Sequence, residues 1–109
     1  MARPVRVTVS SQTVSSVIPL NTYGDPFNVG IGCDITAGGS LTYTVQHTYD
    51  DVFAAGFNPA NATWYSNSNL TNITTDKDSN YAYPVTGIRL NVTAWTSGSV
   101  TMTVIQAGF

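Results

Sequence analysis

The chain is 109 residues long and only 9% of them are charged, against roughly 25% in an ordinary soluble domain. Four cations face six aspartates and no glutamate, for a formal net charge of −2, which excludes a surface built on clustered Lys and Arg for nucleic acid or an anionic membrane. A hydrophobic fraction of 42% with 11% aromatics excludes a disordered chain as well, so the polar surface has to be made of Thr, Ser and Asn.

Taken in chain order, the first feature is Arg3-Pro4-Val5-Arg6, which places half of the cations in a short arm over residues 1–6. It reads either as a soluble tip on an edge strand, with Pro4 blocking further pairing, or as an arm that docks on an acidic neighbour. Met1 to Arg6 has no apolar h-region and so does not read as a signal peptide. Val5, Val7 and Val9 open a weak alternating run. Val14 to Leu20 is a short strand of unclear face, and Asn21 to Pro26 is a polar loop.

Period two then dominates. Phe27, Val29, Ile31, Cys33 and Ile35 alternate with polar residues and glycine, and Ala37-Gly38-Gly39 ends the run. Leu41, Tyr43, Val45, His47 and Tyr49 form a second inward set, with Thr42, Thr44, Gln46 and Thr48 outward. Asp50 to Asn61 is the longest irregular stretch and has room for a helical turn. Ala62 to Tyr65 and Leu70 to Thr75 are short strands, and Asp76 to Asn80 is a polar loop. Ile88, Leu90, Val92 and Ala94 form a third inward set, Ser97-Gly98 reads as a two-residue hairpin turn, and Val100, Met102 and Val104 complete the pattern. Seven to eight short strands without an amphipathic helix predict an all-β chain, an antiparallel β-sandwich of jelly-roll-like kind, with residues 1–109 as a single domain.

Chemistry-bearing patterns are sparse. His47 is the one histidine and by parity faces inward, so it reads as a hydrogen-bonded histidine at the core edge rather than a general base. One imidazole and the lone Cys33 cannot make a zinc site, and no Gly-x-Ser-x-Gly elbow accompanies any serine. Asp76-Lys77-Asp78-Ser79-Asn80 opens like a calcium loop but has Tyr81 where Gly is required and Gly87 in place of the bidentate Glu, so it reads as a polar hairpin loop with at most weak, adventitious calcium binding. Gly30-Ile31-Gly32 lies inside a strand and lacks the third glycine of a phosphate-binding turn. Glycines inside a strand mark close approach by another surface: either Trp95, also outward by parity, lies across these two, or a partner packs there. Of the sequons at Asn61, Asn69, Asn72 and Asn91, composition accounts for about two, and without a secretion signal the excess carries no weight. The expectation is a non-enzyme without cofactor or metal.

Three stretches carry a resemblance: "ARPVRVTVSSQT…VIPLN", "FNVGIGCDITAGGSLTYTVQHTYDDVF" and "YAYPVTGIRLNVTAWTSGSVTMTVIQAG". Their combination, over most of the chain except residues 54–80, resembles a family of small structural proteins of tailed bacteriophages. It is similar to the cement or staple proteins that decorate the heads of short-tailed phages. The resemblance implies a β-sandwich, jelly-roll-like unit made in the host cytoplasm and placed on the phage head surface. Its partner would be the major capsid protein, and its state a homodimer or other symmetric homo-oligomer. A tail or neck component and a carbohydrate-binding adhesion module are the alternatives. Composition and parity select Arg3, Arg6, Phe57, Trp64, Tyr65, Trp95 and Phe109 as interface residues, with no nucleic acid and no membrane as partner.

Overall fold

A computed structural model describes residues 5–20 and 28–106, which form two four-stranded antiparallel sheets packed face to face. In chain order the strands are β1 (Val5–Val9), β2 (Ile18–Pro19), β3 (Val29–Ile35), β4 (Ser40–Thr48), β5 (Tyr65–Ser66), β6 (Lys77–Tyr81), β7 (Gly87–Ser97) and β8 (Val100–Gln106), with one 3₁₀ turn at Pro59–Asn61. Sheet 1 has the order β1-β8-β3-β6 and sheet 2 the order β2-β7-β4-β5. This is the β-sandwich that the alternation predicts. No helix among the described residues is long and apolar enough to cross a membrane. Arg3, Phe109 and the loop from Asn21 to Pro26 lie outside the described residues.

The inward sets of β3, β4, β7 and β8 supply the core. Val29, Ile31 and Cys33 of one sheet face Tyr43, Val45, Ile88 and Leu90 of the other, all nearly inaccessible to solvent. Burying a Val, Leu or Ile side chain stabilises by about 1.5–3 kcal/mol, so these rows hold the two layers together. Burial also pushes the Cys33 thiol up to about 12, against a smaller opposing effect of its contact with Tyr43. The thiol is therefore a packing group and not a nucleophile.

Several local expectations are corrected. Ser97-Gly98 is not a hairpin turn: β7 and β8 lie in different sheets, and the turn carries the chain across the sandwich. Gly98 has φ +83°, and a Cβ placed on it would stand 2.7 Å from the Cα of Gly39. The corner after β3 and the corner after β7 thus press backbone to backbone, joined by Thr36 N–H donating to Ser99 O at 2.9 Å. Connections cross between sheets wherever a strand has its neighbours in the other layer, and of consecutive strands only β4 and β5 pair with each other.

Asp76 to Asn80 is not a loop either. Lys77 to Tyr81 form β6, paired in register with β3 from Val29↔Tyr81 to Cys33↔Lys77. Its polar composition reflects an edge position with one wet margin, where alternation of apolar residues is not required. Leu70 to Thr75 contributes a single bridge, Ile73 to Tyr43, rather than a strand.

Parity fails at four positions for two physical reasons. Thr44 and Thr48, expected outward and wet, are buried because the chain from Asp50 to Thr75 folds back over the outer face of β4. Thr48 Oγ1 donates to Thr63 O at 2.8 Å, and Thr44 Oγ1 accepts from Asn72 N at 3.0 Å. Ala94 and Tyr49, expected inward, are exposed because the strands run past the ends of the core and the β4–β7 register shifts twice near Leu41 and Thr42. Trp95 does not cover the glycines of β3; its indole Nε1 donates to Gly98 O at 2.9 Å, and the space over Gly32 is open.

Candidate functional site: an aromatic rim around His47

The end of the sandwich opposite the glycine corners is built by the last residues of β4, by β5 and by the end of β6. Alternation along β4 puts His47 on the inner face and Tyr49 two residues beyond, past the last core contact. β5 brings Tyr65 directly opposite His47 in the ladder. β6 ends at Tyr81, which pairs with Val29 and is fully buried, and Tyr83 follows two residues on. Four tyrosines from three segments therefore converge on one imidazole.

The geometry is close. His47 Nδ1 and the Tyr81 hydroxyl are hydrogen-bonded at 2.8 Å. The His47 ring stacks on Tyr65 with centroids 5.9 Å apart and an interplanar angle of 22°. Tyr49 and Tyr83 meet it edge-on at 5.7 and 5.9 Å. Edge-to-face and offset pairs at these separations are favourable by about 0.5–1.5 kcal/mol beyond the area they bury. His47 itself is only 5% exposed, whereas Tyr49, Tyr65 and Tyr83 are 53%, 51% and 47% exposed. The rim is wet and its centre is dry.

Electrostatically the cluster is neutral. Burial lowers the pKa of His47, so the imidazole is uncharged at neutral pH. Burial raises the phenol of Tyr81, and likewise that of Tyr83, where the neighbouring Tyr49 adds to the effect. The site offers flat π faces, three half-exposed tyrosines and no formal charge. Such a surface can bury apolar or planar groups of a partner and still satisfy hydrogen bonds at its margin.

Next to it, on the outer face of sheet 2, Arg89 lies 4.1 Å from the centroid of the Trp64 ring. Arg89 Nε donates to Gln46 Oε1 at 2.8 Å, and Trp64 Nε1 donates to Pro59 O at 2.9 Å. This cation–π contact pins the excursion that begins at Asp50, where Asp50 Oδ2 accepts from Thr63 N at 2.8 Å.

Of the residues selected from sequence, Tyr65 lies on the rim and Trp64 beside it, half-buried over Arg89. Phe57 is half-buried within the excursion, and Arg6 is exposed on β1 of the other sheet. Trp95 stands at the opposite end: it pairs with Leu41, six residues along β4 from His47, or roughly 20 Å. Tyr49, Tyr81 and Tyr83, which complete the rim, are not among the residues that composition and parity select. The i, i+2 spacing of His47-Tyr49 is legible in the alternation of β4, whereas that of Tyr81-Tyr83 gains meaning only with Lys77–Tyr81 as a strand.

No protein-family profile matches the sequence, and no curated protein matches it significantly. Solved structures do align with it. The SPBc2 prophage-derived protein YomS aligns over 98% of this chain and 97% of its own length, with a TM-score of 0.53 and 8% identity. A protein of Bacillus endospore appendages, described as disulfide-linked pili, aligns over 96% of this chain and 85% of its own, with a TM-score of 0.48 and 10% identity. At 8% identity the likeness to the prophage protein is one of fold.

Proposed function

We propose that the protein is a structural subunit of a phage particle, a cement or decoration protein that binds the outer surface of the major capsid lattice and acts without catalysis. The observation that carries this reading is the tyrosine rim: a preformed, neutral, half-exposed aromatic surface held by a rigid sandwich. Tyrosine is enriched at protein interfaces, and a rigid scaffold loses little conformational freedom on docking. The resemblance of the three sequence stretches to phage head-decoration proteins supports the same placement, and a fold shared with a prophage-derived protein accords with it.

The mechanism is mass action. A ligand that binds only the assembled shell stabilises that shell, and many copies acting together need only modest individual contacts. Low charge suits the role, because docking then desolvates few ions. The test strips the protein from particles and measures their resistance to heat or chelation. Reduced resistance, restored by adding the protein back, is the expected result; unchanged resistance would exclude a cement role. On the order of hundreds of copies per particle places it on the head, whereas about six or twelve places it in a neck or tail.

The same rim favours a second reading, a carbohydrate-binding module, since tyrosine faces beside hydroxyl and imidazole groups also suit a sugar ring. Binding on a glycan array that is lost in Tyr65→Ala would support that reading over the first.

A further inference from the structure

The two sheets treat their margins differently. In sheet 2 neither margin is a continuous strand. β7 is flanked by the two-residue β2 and a separate bridge at Val14, and β4 by β5 followed by isolated contacts from Leu70 and Ile73. Broken margins deny another chain a template. Sheet 1 instead ends on β1 and β6, each five residues long, regular, and paired on one side only among the described residues.

Its outer face is also polarised. One transverse row runs Arg6, Thr103, Gly32, Asp78, each residue directly opposite the next. A cationic residue therefore stands at the β1 margin and an acidic one at the β6 margin, their backbones about 14 Å apart at three strand spacings. Arg6 is exposed and has no ion-pair partner among the described residues. Beside Asp78 the missing side chain of Gly32 leaves an open cavity of about 400 Å³, walled by Asp34, Asp76, Lys77 and Thr103. Asp76 is held in place by accepting Ile35 N–H at 2.8 Å, while Asp34 and Asp78 are exposed.

We propose that the chain associates head to tail with further copies of itself, β1 of one copy adding to β6 of the next and Arg6 entering the acidic cavity beside Asp78. Strand direction alternates across β1-β8-β3-β6, so β1 of a translated copy arrives antiparallel to β6. The two strands are equal in length. With all five residues paired, Val5 comes opposite Tyr81, Arg6 opposite Asn80 and Thr8 opposite Asp78. Arg6 is then diagonal to Asp78, within reach of a long side chain. A two-fold β1-to-β1 contact would leave the acidic cavity unused. The head-to-tail contact is heterologous, so it closes into a ring or continues as an open chain. It requires nothing but this chain and stands apart from the capsid reading.

Sedimentation velocity on the purified protein tests it, over a concentration series at low and high salt, with Arg6→Asp and Asp78→Arg. The expected result is growth beyond a dimer at low salt, weaker at high salt, about tenfold or more weakened by either substitution, and restored when the two variants are mixed in equal amounts. Far-UV circular dichroism checks that both remain folded; Arg6→Gln and Asp78→Asn replace any that does not. A monomer at every concentration, growth that stops at a dimer, or association indifferent to the substitutions would overturn the proposal.

Discussion

The two ends of the sandwich are closed by opposite means. At one end the corners after β3 and β7 meet backbone on backbone, with Gly98 at φ +83° and no room for a side chain between it and Gly39. At the other end four tyrosines close the gap around His47, three of them half-exposed. At the glycine end the two corners pack on each other, and Trp95 is the one large exposed apolar side chain beside them among the described residues. The tyrosine end seals the core with its inner rings and keeps the outer ones accessible. Stability should therefore be concentrated at the first end and recognition at the second.

The largest expected effect on stability is at the glycine end. Gly98→Ala combines an unfavourable positive φ with a collision against Gly39, and should cost about 2–4 kcal/mol in denaturant unfolding. Gly38 shares the positive φ, at +81°, but has open space around it. Gly38→Ala should cost only about 1 kcal/mol, and equal losses at both positions would break the claim that close approach matters there.

Tyr81→Phe comes next. It removes the hydroxyl bonded to His47 Nδ1 and leaves a buried polar nitrogen without that partner, at a cost of about 1–2 kcal/mol in the same measurement.

A smaller change is expected from pH. Burial lowers the pKa of His47 below its ordinary value of 6.5, so the unfolded chain takes up a proton more readily than the folded one. Stability from this group is full above pH 6.5 and declines as pH falls from there toward the depressed folded pKa. Thermal melts at several pH values should show this decline in the native protein and not in His47→Gln.

The smallest effect on stability is at the rim. Tyr49→Ala and Tyr65→Ala, at half-exposed positions, should each change stability by no more than about 1 kcal/mol while weakening attachment to particles. Rim variants that unfold the protein would mean that these rings serve the core alone.

Much of this contrast can be traced in the residue order, and some of it cannot. Alternation in β3, β4, β7 and β8 identifies the sandwich and its central core rows, because each strand buries one face, but not Ile18, Leu20, Leu70 or Val85, which lie outside them. It does not say which strands share a sheet. Ser97-Gly98 has the chemistry of a hairpin turn, yet a positive-φ glycine serves a sheet-crossing corner equally well. β6 was hidden because an edge strand with a wet margin is free to be polar, as Lys77-Asp78-Ser79-Asn80 is. With β6 unseen, Tyr81 and Tyr83 could not be placed beside His47 and Tyr49. Thr44 and Thr48 show the converse: their burial comes from a distant excursion that no local pattern encodes. Composition pointed to aromatic contact residues, but convergence of the rim depends on β4, β5 and β6 ending together.

The most direct test of the account is quantitative binding of the purified protein to stripped phage particles, comparing the native chain with a Tyr49→Ala, Tyr65→Ala, Tyr83→Ala variant shown to be folded. Saturable binding of the native protein at high copy number, with restored particle resistance to heat, is expected, and loss of both in the variant. Native-like binding by the variant, or no binding by the native protein, would contradict it.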